Sequence, residues 1–81
     1  MTIINAIESF ILNECEYSTP VIELTYEQHN TITVNVHDTE ADEKYILTFK
    51  PYTNDDGLKG YECYQYNIRT QHSNYVGDIE L

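Results

Sequence analysis

Hydrophobic and polar positions alternate most strictly in the middle of the chain, over Thr31–Lys50. Ile32, Val34 and Val36 alternate with Thr33, Asn35 and His37; after a break, Tyr45, Leu47 and Phe49 alternate with Ile46 and Thr48. A period of two sets one side of a strand against a core and the other toward water. Between the two runs lies Asp38-Thr39-Glu40-Ala41-Asp42-Glu43, four carboxylates in six residues with no Gly or Pro. The pattern predicts an antiparallel hairpin with an acidic tip.

Residues 2–16 follow another period. Ile3, Ile4, Ile7, Phe10, Ile11 and Cys15 recur at steps of three and four, the stripe of an amphipathic helix, with Thr2 as its expected N-cap. Asn5, Glu8, Ser9, Asn13 and Glu16 fill the polar side. Ile and Phe also favour strands, so a short strand within this stretch stays open. Ser18-Thr19-Pro20 ends the helix, because a proline biases the residue before it away from the α region.

Val21–Glu27 alternates again, and the pattern turns Ile22, Leu24 and Tyr26 inward and Glu23, Thr25 and Glu27 outward. Gln28-His29-Asn30 reads as a turn, Lys50-Pro51-Tyr52-Thr53 as the end of the third strand, and residues 54–60 as a loop whose Asp56-Gly57 step supplies a positive φ. A fourth strand is expected over Tyr61–Thr70, with Tyr64, Tyr66 and Ile68 on one side. A turn over residues 71–74 and a short edge strand over Tyr75–Leu81, broken at Gly77, complete the chain. The expected architecture is α+β: one N-terminal helix packed on a four- to five-stranded antiparallel meander, a single domain over residues 1–81.

Composition narrows the function. The 81 residues carry fourteen Asp and Glu against four Lys and Arg, a formal net charge of −10. A small domain is kept soluble by a net charge of magnitude about 2–8, so this chain exceeds that need and bears self-repulsion. Nucleic-acid binding is excluded by sign, since phosphate contacts need Lys and Arg, and an anionic membrane is excluded for the same reason. The eight tyrosines fall at strand spacing, which assigns them to core and sheet face rather than to base stacking. No apolar run reaches the ~18 residues of a membrane span, and no basic segment precedes the first apolar stretch. Cys15 and Cys63 match no metal-binding spacing; they could form one bridge, but a chain without export signals favours a reduced, partly buried pair.

Site chemistry is sparse. Asp38, Glu40 and Asp42 offer oxygens to a hard cation, and Asn54-Asp55-Asp56-Gly57 looks like a fragment of a calcium loop but lacks its alternate spacing and bidentate Glu. No His pair sits at ligand spacing on one element, no nucleophile–base signature is present, and carboxylates at a hairpin tip are bathed in solvent. Neither a metal, a cofactor nor enzymatic activity is expected.

What remains is a surface that imitates nucleic acid. Alternate residues of a strand stand about 6.6 Å apart on one side, comparable to successive phosphates of a DNA strand. Glu23 with Glu27, Asp38 with Glu40 and Asp42, and Asp78 with Glu80 then qualify as phosphate surrogates, with Glu43 and the Asp55–Asp56 loop beside them. The plainer reading makes them outward residues of half-exposed strands.

In this respect the chain resembles the phage uracil-DNA glycosylase inhibitor family. The matching pieces are Ile32–Val36, Asp38, the acidic turn through Asp42-Glu43, Ile46-Leu47-Thr48, the strand around Ile68 and the ending Asp78-Ile79-Glu80-Leu81; Glu8-Ser9-Phe10 echoes that family's Glu-Ser-Ile motif. The resemblance implies an edge-strand position for Glu8, Ser9 and Phe10, with carboxylate and hydroxyl making DNA-like contacts, whereas the periodicity puts them on the helix. Size and charge are also similar to those of anti-CRISPR proteins, which block a nuclease's DNA site or lock its assembly. The expected function is a small acidic phage or mobile-element inhibitor, acting in the host cytoplasm on a DNA-binding enzyme with a basic groove, as monomer or dimer. The alternative is an immunity- or adaptor-type interaction module that uses the Tyr-rich face.

Overall fold

The computed structural model describes residues 3–80, so Thr2, expected to cap the helix, and Leu81, expected to end the last strand, lie outside the described residues. The chain is α+β: helix α1 (Ile3–Asn13) precedes strands β1 (Pro20–Gln28), β2 (Thr31–Asp38), β3 (Glu43–Thr53), β4 (Lys59–Asn67) and β5 (His72–Glu80). The five strands form one antiparallel sheet in sequence order, and α1 packs on one of its faces.

The strictest alternation makes the centre of the sheet. Ile32 pairs with Phe49, Val34 with Leu47 and Val36 with Tyr45, so both runs put the same apolar set on the helix-covered face. Ile7, Phe10 and Ile11 of α1 bury against them together with Cys15 and Cys63. Phe10 meets Phe49 edge-on at 5.8 Å between ring centroids, an arrangement favoured by the ring quadrupoles. Truncating such a buried aromatic costs about 3–5 kcal/mol, on the scale of the whole stability of a domain this small.

Turn chemistry sets the connections. His29 and Asn30 both have positive φ (52° and 65°), the geometry of a two-residue turn whose twist suits the flanking strands. The Asn54 side chain accepts from the backbone N–H of Asp56 and of Leu58, closing the β3–β4 loop around Gly57 at φ 81°. The β4–β5 turn lies earlier than its sequence expectation, at residues 68–71 rather than 71–74. The Asn67 side-chain Oδ1 accepts from the N–H groups of Arg69 and Thr70 and so ends the strand. Ile68 therefore sits in the turn, 48% exposed, and β5 begins at His72 and runs unbroken through Gly77. The helix is also shorter than 2–16, because after Asn13 the chain turns Cys15 into the core.

The largest departure is in β1. Its register against β2 shifts between Ile22 and Leu24, leaving Glu23 as the extra residue of a β-bulge. One inserted residue reverses the facing of every side chain beyond it. Ile22 still packs on the core, but Leu24 and Tyr26, expected inward, pair with Asn35 and Thr33 on the open face and are about half exposed (51% and 48%). The opposite edge has a second irregularity, between Cys63 and Tyr64, which leaves Val76 of β5 as the extra residue.

Gly60 shows how tightly the β3–β5 corner is built. A Cβ there would lie 2.3 Å from the Ile79 carbonyl oxygen and 2.8 Å from a ring carbon of Tyr52, whose hydroxyl crosses above Gly60 to donate to Asp78 at 3.0 Å. The backbone oxygen cannot swing aside as a side chain would. Gly60→Ala is therefore expected to cost about 1–3 kcal/mol, the range for overpacking a fitted site, read as a lower urea midpoint.

Candidate functional site

The acidic hairpin tip is two environments rather than one. Asp38 is 4% exposed, and its carboxylate accepts from the backbone N–H of Thr19 (3.0 Å) and Ser18 (3.1 Å) and from the Thr19 hydroxyl (3.3 Å). It ties the connection after α1 to the end of β2. The Thr19 backbone and then the Ser18 backbone hold the Asp38 carboxyl below the ordinary carboxylate value of 3.8. Asp38 is thus a folding residue and not the exposed surrogate its sequence position suggested. The reason is register: it continues the inward side of Ile32, Val34 and Val36.

Glu43 is likewise engaged. It pairs with Arg69 at 2.6 Å and accepts from Asn67, and the Arg69 guanidinium lowers its carboxyl from the ordinary 4.5. Glu40 and Asp42 form the free-standing part of the tip. Both are exposed; Asp42, at φ 53°, reaches back to His37 Nε2 at 3.1 Å, and the Glu40 N–H donates to the Thr19 hydroxyl at 2.8 Å.

Topology disperses the remaining predicted residues. The 39–42 and 68–71 turns share one end of the sheet; the 29–30 turn and the 54–58 loop share the other. Glu40 and Asp42 therefore lie at the end opposite Glu27, Asp55 and Asp56. The separation approaches the ~36 Å of an eleven-residue strand, within a molecule 40 Å in its longest extent. Glu23 stands on the β1 edge between them. Glu8 and Ser9 are exposed on α1, where Ser9 accepts from Asn13, while Phe10 is 7% exposed and belongs to the core. The tripeptide is helical, so the edge-strand position implied by the family resemblance does not hold, and Phe10 is withdrawn as a contact residue.

The second surface is the Tyr-rich face, which is wider than the tyrosine pattern alone suggests. The sheet face away from α1 has no helix over it among the described residues. It presents Val21, Leu24 and Tyr26 of β1 together with Ile46, Tyr64, Tyr66 and Tyr75, several of them about half exposed. Charges border it: the register puts Lys44, Lys50, Glu62, Asp78 and Glu80 on the same side, with Lys50 5.2 Å from the centre of the Tyr64 ring and the Tyr64 hydroxyl donating to Glu62. Tyr64 meets Tyr75 edge-on at 5.6 Å. The tyrosines at alternate positions were visible as a pattern, but Leu24 and Tyr26 join them only because of the bulge, which nothing in the local sequence announces.

Open grooves flank the helix: one of about 420 Å³ between α1 and β5, beside Ser9, Phe10 and Gly77, and one of about 390 Å³ beyond the end of α1. Among the described residues no three His, Cys, Asp or Glu side chains gather as metal ligands, and no helix is long and apolar enough to cross a membrane. His37 faces Asp42 and Ser9 faces Asn13, so neither belongs to a nucleophile–base pair with the other. What the arrangement offers chemically is charge and contact area. No family model, curated protein or solved structure matches the chain.

The Asp38 geometry has a pH signature. Because the folded carboxyl titrates below its ordinary value, its stabilising contribution is complete above 3.8 and is lost as pH falls through the lower folded value. Asp38→Asn is expected to melt several degrees below the wild type at neutral pH, with the gap closing as pH drops below 3.8. Glu43 titrates in both proteins, so the difference isolates Asp38. A gap that stays constant across the acid range would show that the carboxylate charge plays no part.

Proposed function

We propose that the chain is a small acidic inhibitor, of the kind phages and mobile elements make, that blocks a host DNA-binding enzyme by placing carboxylates where DNA phosphates would lie. One observation carries this reading. Of the fourteen carboxylates, Asp38, Glu43 and Glu62 are buried or half-buried, and the other eleven are exposed. Meanwhile Arg69 in the 68–71 turn is drawn to Glu43 and Lys50 lies over Tyr64, so two of the four basic side chains have partners within the molecule. The negative field is left nearly unopposed around the molecule's long dimension of 40 Å, comparable to the ~34 Å of one turn of duplex. Such a field speeds encounter with a basic groove and weakens as salt rises.

The contact set for this reading is Glu40 and Asp42 at the tip, Glu23 and Glu27 on β1, Asp55 and Asp56 in the loop, and Glu8 and Ser9 on α1. Inhibition is by occupancy, with no catalysis and no cofactor. The target belongs to the uracil-DNA glycosylase or CRISPR nuclease class, in the cytoplasm of the host.

The open sheet face favours a second reading, an immunity- or adaptor-type module that binds through Leu24, Tyr26, Tyr64 and Tyr75 without imitating DNA. Variants separate the two. Glu40→Gln with Asp42→Asn removes tip charge while leaving Asp38 and Glu43 in place. Close charge pairs across interfaces couple by about 1.5–7 kcal/mol, so inhibition of a glycosylase or CRISPR nuclease is expected to weaken at least about tenfold, with melting unchanged. Leu24→Ser with Tyr26→Ser tests the open face in the same assay. Inhibition indifferent to the tip but lost with the open-face pair would replace the first reading by the second, and full activity of both enzyme classes beside excess wild-type protein would end the glycosylase and nuclease assignment.

A further inference from the structure

Cys15 and Cys63 are far apart in the chain and adjacent in the fold. Cys15 follows α1, Cys63 lies in the middle of β4, and both are free and buried in the common core. Tyr17, two residues after Cys15, donates its hydroxyl to Gln65, two residues after Cys63 on the same side of β4, which draws the segment after α1 over Cys63 and places the Cys63 thiol to donate to the Cys15 sulfur. The two are not equivalent. Cys15 lines the open groove beyond α1, beside Glu14, Glu16, Tyr17 and Gln65, while Cys63 is not on that wall. The donated hydrogen bond holds the Cys15 thiol below its ordinary range, against burial and the nearby Glu14. Donation to Cys15, together with burial, pushes the Cys63 thiol up.

We propose that Cys15 and Cys63 are a peroxide-responsive pair that closes into an intramolecular disulfide, locking the segment after α1 onto β4. Buried single cysteines are ordinarily inert. A contacting pair with one sulfur on a groove wall has both a site of attack and a resolving partner. The oxidant class follows from the surroundings. Cys15 is only 4% exposed, which denies a bulky disulfide the approach that thiol exchange needs, and Glu14, Glu16 and the net charge of −10 repel anionic glutathione disulfide. Hydrogen peroxide is small and neutral.

The steps balance. The Cys15 thiolate attacks one peroxide oxygen, the O–O bond breaks, and hydroxide leaves, giving Cys15 sulfenic acid. The Cys63 sulfur then attacks the Cys15 sulfur; the S–O bond breaks, the Cys63 proton goes to the departing oxygen, and water is released. Two thiols are oxidised to one disulfide and one peroxide is reduced to water and hydroxide, the hydroxide taking up the proton that Cys15 first gave to solvent. Because both cysteines are packed in one core and Tyr17 already anchors the segment after α1 to Gln65 of β4, closure needs little backbone movement, and the long loop it closes makes the restraint on the unfolded chain large.

The test is to treat the reduced wild-type protein with near-stoichiometric hydrogen peroxide, then count thiols after denaturation and weigh the chain. Expected are loss of both thiols, loss of the mass of two hydrogens, no chain-to-chain product, and a melting temperature raised by roughly 10 °C or more. Cys63→Ala should stop at a Cys15 sulfenic acid, one oxygen heavier and captured by dimedone, and Cys15→Ala should leave Cys63 unmodified at the same dose. Persistence of both wild-type thiols, an intermolecular product, or a lowered melting temperature after oxidation would each overturn the proposal. The wild-type measurements decide it even if a variant fails to fold.

Discussion

A helix of eleven residues is about 16 Å long and 10–12 Å across, and it has to cover a sheet of five strands. That mismatch organises the molecule. The helix covers the middle, where Ile32, Val34, Val36, Leu47, Phe49 and Cys63 are almost wholly removed from water, and reaches toward β5, where Gly77 lets Phe10 come close. It does not reach the far half of β1. There, two further inward apolar side chains would face the helix side without cover, and the bulge at Glu23 moves Leu24 and Tyr26 to the other face instead. Ile22, before the bulge, remains at the margin of the core.

The limited cover also gives the two faces different physics. Carboxylates gather on the rim, on the helix and at both ends of the strands, where their action is long-ranged and screened by salt. The open sheet face carries a cluster of aromatic and aliphatic side chains beside its charges, and the attraction those apolar groups offer acts at contact. A partner would sense the first surface during approach and the second only after touching it. The two functional readings correspond to these two surfaces.

How much was legible follows from how local each determinant is. The β2–β3 hairpin was readable because Ile32, Val34, Val36, Leu47 and Phe49 repeat a single period without interruption, and each outcome depends only on neighbours two residues away. The helix was readable for the same reason at its own period. The β1 bulge was not, since Glu23 is a residue that suits an ordinary outward position and the shift depends on how far a distant helix extends. Asp38 was misplaced because its side was judged by charge rather than by continuing the inward side of β2, although its partners, Ser18 and Thr19, lie in the stretch correctly read as the helix stop. Phe10 was drawn into a motif by its neighbours Glu8 and Ser9 while its spacing from Ile7 and Ile11 already placed it in the core.

Both outer strands of the sheet are irregular: β1 at Glu23 and β5 at Val76. An uninterrupted outer strand exposes a row of backbone donors and acceptors on which another chain can extend the sheet, and bulges twist that row out of line. The consequence concerns dosage. A blocker that works by occupancy has to accumulate to at least the abundance of whatever it blocks, and crowding is when sheet edges recruit one another into fibres. With each border kinked and every copy carrying the same net charge of −10, both outer strands are poor templates for a neighbouring chain, which disfavours extension of the sheet beyond five strands.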